Sequence, residues 1–357
     1  MTMRVAAVDC GTNSIRLLIA DIHPETPGDR HPGAAEPQSD ESERTPGDCG
    51  PASPSPLTDV TRQMRIVRLG EGVDRTGRLS AAALDRTMAA LSEYAGLIAD
   101  AKPEAVRMVA TSATRDAANS REFTDRVIEI LGVAPEVISG DEEAWLSFTG
   151  ATRELAGTPL AAECLPPYLV TDIGGGSTEF VLGGSDEADA RPQVQRHQIQ
   201  RPQVQGRSVN IGCVRLTERH LHGDPPSQVE IANTIRDIDA ALEQAAASVP
   251  VTKASTLVGL AGSVTTVAAI ALGLVVYDSA RIHHARISAG RVHEIADGLL
   301  AMTRAERAAI PVMHPGRVDV IGAGALILDR IMTRFGFPEV LVSEHDILDG
   351  IAWSLVG

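Results

Sequence analysis

The chain has 357 residues, a length that favours two domains over one, and its hydrophobic content of 43% is sufficient for packed cores. The formal net charge of −15 excludes a protein that binds nucleic acid through a broad basic face. It does not exclude an anionic substrate, because a cleft can be locally positive or can hold a metal ion.

Four cysteines, Cys10, Cys49, Cys164 and Cys213, lie far apart and form no CxxC pair. Their spacing predicts neither a disulfide framework nor a zinc site, so a reduced, cytoplasmic protein is expected. The N-terminal segment also lacks the charged and apolar regions of a signal peptide.

The chain opens with a predicted β-hairpin. Apolar runs at residues 4–10 and 15–21 are separated by the turn sequence Gly-Thr-Asn-Ser. Residues 23–60 are rich in Pro, Gly, Ser and acidic side chains and are predicted to be a disordered insertion. A third strand is predicted at residues 64–69.

Helices and strands then alternate. Ser80 is the predicted N-cap of a helix with apolar residues at helical spacing. Strands are predicted at 106–111 and 135–139, and helices at 115–131 and from Gly140 to about residue 156.

The second half repeats the opening pattern. A strand at 168–173, a glycine-rich turn at 174–177 and a returning strand at 178–182 form a second predicted hairpin. Asp9 and Asp172 occupy matching positions near the end of the first strand of each hairpin. This repeat predicts an internal duplication, and therefore two similar domains that face each other.

A surface insertion, a buried segment and a final helix complete the prediction. Residues 184–206 are rich in Gln, Arg and Pro and are interpreted as a flexible insertion. Residues 255–277 carry no charge and are long enough to cross a bilayer, but their glycines favour a buried strand at 257–260, a Gly-Ser turn and a buried helix. The last elements are a strand at 339–342, a capping region at 343–346 and a helix.

Both hairpin turns have a composition that suits phosphate binding. Glycine allows close approach of the backbone, and exposed N–H groups can form a nest for phosphate oxygens. Asp141, Glu142 and Glu143 begin a helix, where the dipole favours their ionised forms. Since neighbours on a helix point about 100° apart, at most one of the two glutamates should face the cleft.

The segments DCGTNSIRLLIAD and DIGGGSTEF resemble the phosphate-binding hairpins of the actin, sugar-kinase and heat-shock-chaperone superfamily. ATSATRDAANSREF, ISGDEEAWLSFTGA, IGCVRLTER, GLAGSVTTVAAI and VSEHDILDGI are similar to segments of the exopolyphosphatase / guanosine pentaphosphate phosphatase family. This resemblance implies an α/β fold with two actin-like (ribonuclease H-like) domains, each a mixed five-stranded sheet flanked by helices, with the active site in the cleft between them. The domains are expected at 1–140 and 141–343, with the C-terminal helix at 344–357 joined to the first.

The resemblance also implies roles for matching residues. Glu143 corresponds to the glutamate that orients or deprotonates the attacking water, and Arg115 to an arginine that meets the phosphate chain. Asp9, Asp172 and Glu179 correspond to the acids of the metal site. The phosphate-binding residues are expected to be Gly11, Thr12, Asn13, Ser14, Gly174, Gly175, Gly176, Ser177, Thr178, Gly262 and Ser263.

Two arginines and three histidines stay outside this assignment. Arg16 could add positive charge to the cleft or lie on the outer face of its hairpin. Arg215 could line the cleft of the second domain, but it is interpreted as a solvated side chain. His283, His284 and His345 lack the spacing of metal ligands and are interpreted as surface or capping residues.

The resemblance implies an exopolyphosphatase that removes terminal phosphate from inorganic polyphosphate, with Mg²⁺ or Mn²⁺ as cofactor. Short chains are the expected substrates, because the sequence ends after the two domains. Guanosine pentaphosphate phosphohydrolase stays open as an alternative, and an actin-like ATP-binding assembly protein, a chaperone or a sugar kinase are more distant ones. A homodimer is common among relatives, and neither nucleic acid nor a membrane is an expected partner.

Overall fold

The computed structural model describes residues 2–23, 56–153, 155, 164–184 and 204–356. Most of both predicted insertions, at residues 24–55 and 185–203, lies outside these residues. The described chain forms two mixed β-sheets with helices packed on their faces.

The first sheet is built from the N-terminal part of the chain. Its five strands are β1 (Met3–Cys10), β2 (Ser14–Ile22), β3 (Leu57–Ile66), β4 (Ala105–Ala110) and β5 (Glu136–Val137), in the order β3-β2-β1-β4-β5. Its helices are α1 (Val73–Thr76), α2 (Ala81–Ala101), α3 (Ser112–Arg115) and α4 (Ser120–Leu131). The Ser80 hydroxyl accepts a hydrogen bond from the Ala83 amide and caps α2, as predicted.

The second sheet has six described strands. They are β6 (Tyr168–Ile173), β7 (Thr178–Gly183), β8 (Gln205–Val209), β9 (Thr256–Leu260), β10 (Arg286–Ser288) and β11 (Glu339–Val342), in the order β10-β11-β9-β6-β7-β8. Its helices are α6 (Cys213–His220), α7 (Gln228–Ser248), α8 (Ala261–Ala271), α9 (Ser279–Ile282), α10 (Ala289–Ala301), α11 (Arg304–Ala308) and α12 (Ile321–Phe335).

The two sheets share one topology, which supports the predicted duplication. In each, a hairpin is extended by an antiparallel strand on one side (β3 or β8) and by two successive parallel strands on the other (β4 and β5, or β9 and β11). The additional edge strand of the second sheet is β10, which pairs antiparallel with β11. The predicted two-sheet α/β class is therefore confirmed, although five strands were predicted for the second sheet.

Helices α5 (Gly140–Thr152) and α13 (Ile347–Trp353) lie where the two halves meet. Leu146 of α5 packs with α13 on the first sheet, whereas Phe148 packs on the second. The expected return of the C-terminal helix to the first sheet is seen here. Because α5 contacts both sheets, the domain limit at residue 140 stays a prediction.

Several predicted boundaries differ from the structure. The third strand begins at Leu57 rather than at residue 64, so its first part overlaps the predicted insertion. The predicted helix at 115–131 is divided into α3 and α4, and the predicted strand at 135–139 pairs over only two residues. The Gly-Ser turn expected after β9 is the first turn of α8, which Ala261 enters with a φ of 67°. No helix within the described residues is long and apolar enough to span a membrane.

Candidate active site

The two predicted hairpins have matching geometry. The Gly11 amide donates to the Ser14 carbonyl oxygen at 2.9 Å, and the Gly174 amide donates to the Ser177 carbonyl oxygen at 3.0 Å. Across the strands, Asp9 is opposite Arg16 in the first hairpin, and Asp172 is opposite Glu179 in the second. The duplicated hairpins therefore differ in charge at one equivalent position.

A cavity of about 100 Å³ lies between the two hairpins. It is lined by both turns, by carboxylates from three elements and by the start of α8. Twelve of the predicted site residues line it: Asp9, Gly11, Thr12, Asn13, Ser14, Glu143, Asp172, Gly174, Gly175, Ser177, Gly262 and Ser263. The sequence thus located most of the residues that the fold brings together here.

Four predicted site residues do not line this cavity. Arg115 lies behind Glu143, and Glu179 lies beside Asp172 within the sheet. The Thr178 hydroxyl donates to the Ile211 carbonyl oxygen at 2.7 Å, which holds the hairpin to the chain that follows β8. The fourth residue is Gly176, whose backbone approaches the opposite hairpin.

Glycines in the second turn allow this approach. A Cβ atom on Gly176 would lie 2.8 Å from both the Thr12 and Ser112 hydroxyl oxygens, and one on Gly175 would lie 2.9 Å from the Thr12 Cβ. These separations are below van der Waals contact, so neither position accommodates a side chain. Thr12 and Ser112 are themselves hydrogen-bonded at 2.8 Å.

Neighbouring segments fix the carbonyl groups of both turns. The Gly70 amide donates to the Thr12 carbonyl oxygen at 2.8 Å, and the Arg68 amide donates to that of Asn13 at 2.9 Å. In the second turn, amides at the start of α6 donate to the carbonyl oxygens of Gly174 and Gly175. A carbonyl oxygen that is held in this way cannot turn towards an anion and repel it.

Asp9 and Arg16 form the charged centre of the first hairpin. The Arg16 guanidinium donates to Asp9 Oδ2 at 2.6 and 2.9 Å and also to Asp346, the N-cap of α13. Arg16 therefore lies in the cleft and not on the outer face of its hairpin, which are the two positions that the sequence left open. Burial raises the pKa of Asp9, and its Oδ1 atom is buried without a hydrogen-bond partner among the described residues.

Asp172 and Glu179 form the corresponding pair of the second hairpin. Burial and the nearby Asp346 raise the pKa of Asp172 to about 6, although the Ser147 hydroxyl donates to its Oδ2 at 2.7 Å. Burial, with the charges of Glu143 and Asp172, raises the pKa of Glu179 well above its ordinary value. The Ser208 hydroxyl donates to Glu179 Oε1 at 2.7 Å.

Glu143 reaches the cavity from the first turns of α5. The helix dipole was predicted to favour the ionised form of Glu143. Burial outweighs this effect and raises the pKa of Glu143 to about 7, even though Arg115 opposes the shift. Arg115 Nη1 donates to Glu143 Oε2 at 3.0 Å and to the Ile138 carbonyl oxygen at 2.9 Å. Glu142 instead contacts Arg107 at 2.9 Å outside the cavity, so one glutamate of the pair faces the cleft.

The predicted metal ligands do not form a compact set. Within the described chain, no group of three His, Cys, Asp or Glu side chains is arranged to hold a metal ion by itself. Asp9 and Asp172 both line the cavity, and the unpartnered Asp9 Oδ1 is a hard oxygen donor of the kind that Mg²⁺ binds. These two carboxylates fit an ion that takes its other ligands from water and phosphate.

Arg317 is a cavity residue that the sequence analysis missed. Its Nη1 donates to the Thr266 hydroxyl at 3.0 Å, and it forms no ion pair with a described carboxylate. Burial lowers its pKa, which reflects the cost of keeping this cation out of water. It packs on Gly262, where any side chain would overlap the guanidinium. An anion is the expected partner for such a group.

The structure also describes Arg215 and the three histidines that stayed outside the assignment. The Arg215 side chain is only 12% exposed, so the interpretation as a solvated arginine was wrong. His283 and His284 stack with ring centroids 3.6 Å apart, and His345 lies 4.6 Å from His283. The Glu344 amide donates to His283 Nδ1 at 3.2 Å.

A second cavity of about 570 Å³ adjoins the first and shares Arg16, Gly262 and Arg317 with it. Much of its wall is apolar: Met64, Val275, Val276, Tyr277, Pro311, Val312 and Met313. Two further arginines line this cavity beside Arg317. Arg16 forms an ion pair with Asp9, and Arg62 forms one with Asp349.

Comparison with known proteins relates this arrangement to a family. The family model described as the Ppx/GppA phosphatase family matches residues 50–357. The chain is 44% identical to exopolyphosphatase 2 of Mycobacterium tuberculosis, over 99% of each chain. It is 28% identical to guanosine-5'-triphosphate,3'-diphosphate pyrophosphatase of Aeromonas salmonicida, over 84% of this chain and 55% of that protein.

The solved structure of an exopolyphosphatase-like protein has a TM-score of 0.82 and 39% identity, and covers 99% of this chain and 98% of that one. The family and the actin-like fold predicted from the sequence are therefore confirmed. On the extent of the family match and the identity over the full length, the chain belongs to the Ppx/GppA phosphatase family.

Proposed function

We propose that this protein is an exopolyphosphatase that hydrolyses the terminal phosphoanhydride bond of short inorganic polyphosphate. The observation that carries the proposal is Glu143, a buried carboxylate that enters the cavity between two phosphate-binding turns. The relative with 44% identity, which is named an exopolyphosphatase, supports the same reaction.

Glu143 has the properties of a general base for water. A catalytic base works best when its pKa is near the working pH, and burial raises the pKa of Glu143 to about 7. The hydrogen bond from Arg115 fixes one carboxylate oxygen, Oε2, and restricts the orientation of the group. Glu143 would accept a proton from the attacking water, while Arg115 holds the carboxylate in place.

Phosphate binding is assigned to the two turns and to Arg317. The turns bring backbone and hydroxyl groups of residues 11–14, 174, 175 and 177 to the cavity from opposite sides. Arg317 adds a guanidinium that forms no ion pair with a described carboxylate, and a guanidinium binds phosphate with charge-assisted hydrogen bonds. Together they would orient the terminal phosphoryl group relative to the water near Glu143.

We infer that Mg²⁺ is the cofactor and that Mn²⁺ can replace it. Asp9 and Asp172 would hold the ion through carboxylate oxygens, and Glu179 would act from behind Asp172. When bound, the ion supplies positive charge that offsets the charge of the phosphoryl oxygens. Several buried carboxylates in the described cavity raise each other's pKa, so a cation is electrostatically favourable here.

The preference for short chains follows from charge. A long polyanion needs a series of cationic side chains along its path. In the second cavity, however, Arg62 is paired with Asp349, the shared Arg16 is paired with Asp9, and the wall is largely apolar. The wall of the second cavity therefore favours binding of only the first few phosphates.

Guanosine pentaphosphate hydrolysis is the second candidate, and the adjoining cavity favours it. A volume of about 570 Å³ with Tyr277 and several aliphatic side chains suits an organic group better than a chain of phosphates. The relative from Aeromonas salmonicida, named for a guanosine substrate, is less similar, so polyphosphate remains the first proposal.

The test is phosphate release with Mg²⁺ from short polyphosphate, long polyphosphate, guanosine pentaphosphate and ATP. Glu143→Gln should abolish release, whereas Glu142→Gln, one residue earlier on α5 and outside the cavity, should retain it. Release from guanosine pentaphosphate alone would favour the second candidate. No release from any substrate by the folded wild type would refute the hydrolase proposal.

Cytoplasmic location and homodimerisation remain predictions. Cys10, Cys164 and Cys213 are free and buried, which is compatible with a reducing environment. Sedimentation of the purified chain would determine the oligomeric state.

A further inference from the structure

The start of α6 holds the second phosphate-binding turn from the outside. Its first three amides donate to the carbonyl oxygens of Gly174 and Gly175 at 3.0, 2.9 and 3.1 Å. The third carbonyl of the turn, that of Gly176, accepts a hydrogen bond of 2.7 Å from Arg215 Nε. A single side chain therefore completes the support of this turn.

The other end of the same side chain reaches the first half of the molecule. Arg215 Nη1 donates to Asp74 Oδ1 in α1, and Nη2 donates to Asp116 Oδ2, just after α3, at 2.6 Å. Both aspartates belong to segments that pack on the first sheet. One guanidinium thus links a backbone carbonyl of the second turn with two carboxylates across the cleft.

The rigidity of the guanidinium makes this link directional. Its donors lie in one plane with fixed angles, so a shift of the two aspartates moves or rotates the Nε–H group that holds Gly176. Charge-assisted hydrogen bonds to carboxylates are strong, and salt screens partly buried pairs less than exposed ones. The aspartates can therefore impose a position on Arg215.

We propose that Arg215 is a positioning residue that makes the geometry of the second phosphate-binding turn depend on closure of the two halves. The inference rests on the proposed function, because it takes this turn as part of the substrate site. In the arrangement described here, Arg215 fixes the Gly176 carbonyl by its hydrogen bond. When the halves separate, the Arg215 side chain loses its anchors and this carbonyl is no longer fixed.

Arg219 and Arg330 provide comparisons within the chain. Arg219 also contacts Asp74, at 2.9 Å, but it makes no described contact with the turn. Arg330 forms a bidentate pair with Asp239 inside the second half, and neither residue lines the cavity between the turns. Effects that are specific to Arg215 can thus be separated from the loss of any arginine ion pair.

The experiment compares Arg215→Met, the double variant Asp74→Asn/Asp116→Asn and the control Arg330→Met. It measures kcat and KM for phosphate release from short polyphosphate, and hydrogen–deuterium exchange of the amides at 174–178. Arg215→Met should lower kcat about 100-fold, as expected for a misplaced catalytic group, and should speed exchange in the turn.

The double variant keeps the bond from Arg215 to the turn but loses the anchors across the cleft. Saturating substrate can still drive closure, so KM should rise about tenfold while kcat changes less than about twofold. Arg330→Met should match the wild type in kcat, KM and exchange.

The proposal is overturned if Arg215→Met changes KM alone, as an ordinary interdomain ion pair would. It is also overturned if exchange at 174–178 is unchanged in that variant. A wild type that hydrolyses none of the substrates would instead refute the proposed function. Exchange requires no turnover, so it would still decide the role of Arg215.

Discussion

Replacement of Glu143 by glutamine should stabilise the protein at neutral pH while it abolishes hydrolysis. Burial, which Arg115 only partly opposes, raises the pKa of Glu143 from 4.5 to about 7. Between these values the unfolded chain has released a proton that the folded protein retains. The free energy of unfolding therefore falls as pH rises from about 4.5 to about 7, and it stays lower above that window.

The size of the effect follows from the pKa difference. Each pKa unit corresponds to about 1.4 kcal/mol, so the shift from 4.5 to about 7 costs the folded protein ~3 kcal/mol at pH 8. Glutamine has a similar shape and can accept the hydrogen bond from Arg115, but it carries no charge to bury. Since 1 kcal/mol changes the Tm of a protein of this size by about 2 °C, we expect a gain of roughly 5 °C.

Differential scanning calorimetry of metal-free protein at pH 5 and pH 8 measures this gain. Most of it should vanish at pH 5, and Glu142→Gln serves as the control for the loss of a carboxylate from the same helix outside the cavity. Phosphate release by Glu143→Gln should fall at least about 100-fold. A Tm difference that is the same at both pH values, or a loss of stability at pH 8, would refute the argument from burial.

Three further substitutions test other parts of the site. A Cβ on Gly150 would overlap the Asp346 carbonyl, so Gly150→Ala should lower the free energy of unfolding in urea by about 2–3 kcal/mol and also reduce turnover. Ser147→Ala removes a hydrogen bond that lowers the pKa of Asp172, so the acidic limb of the kcat/KM profile should move to higher pH. Arg317→Gln should raise KM for polyphosphate at least about tenfold without lowering the Tm, because it removes a buried cation that has no ion-pair partner in the described part of the chain. An unchanged free energy of unfolding for Gly150→Ala, an unmoved acidic limb for Ser147→Ala or an unchanged KM for Arg317→Gln would contradict the corresponding contact.

Local sequence signals located the regular elements that form hairpins. The strand predicted at 168–173 has the same limits in the structure, because a buried apolar run is bounded there by a proline pair and a glycine turn. In contrast, β8 was missed since its exposed and half-buried residues follow a Gln-rich segment and resemble it in composition. β10 is only three residues long and depends on pairing with β11, which no local pattern reveals.

The candidate site was predictable where its residues lie in one motif. The turns and Glu143 belong to such motifs, whereas Arg317 and Ser208 are isolated in the sequence and reach the site through tertiary structure alone. Ser147 could have been found, because it lies four residues after Glu143 and thus on the same face of a predicted helix. Asp346 was noticed only as a helix cap, a role that it combines with its contact to Arg16.

The duplicated hairpins are alike in backbone but not in charge, and this difference leads to a last prediction. Arg16 neutralises Asp9 within the first hairpin, whereas the equivalent Glu179 adds a second carboxylate beside Asp172. The second hairpin therefore needs a cation from outside, which a metal ion can supply. Glu179 does not line the cavity, so its effect on the ion should pass through Asp172 and be moderate. Glu179→Gln should raise the Mg²⁺ concentration for half-maximal phosphate release about 10- to 100-fold, with kcat recovering at saturating Mg²⁺. A variant with an unchanged Mg²⁺ requirement would show that the charge at this position does not serve the ion.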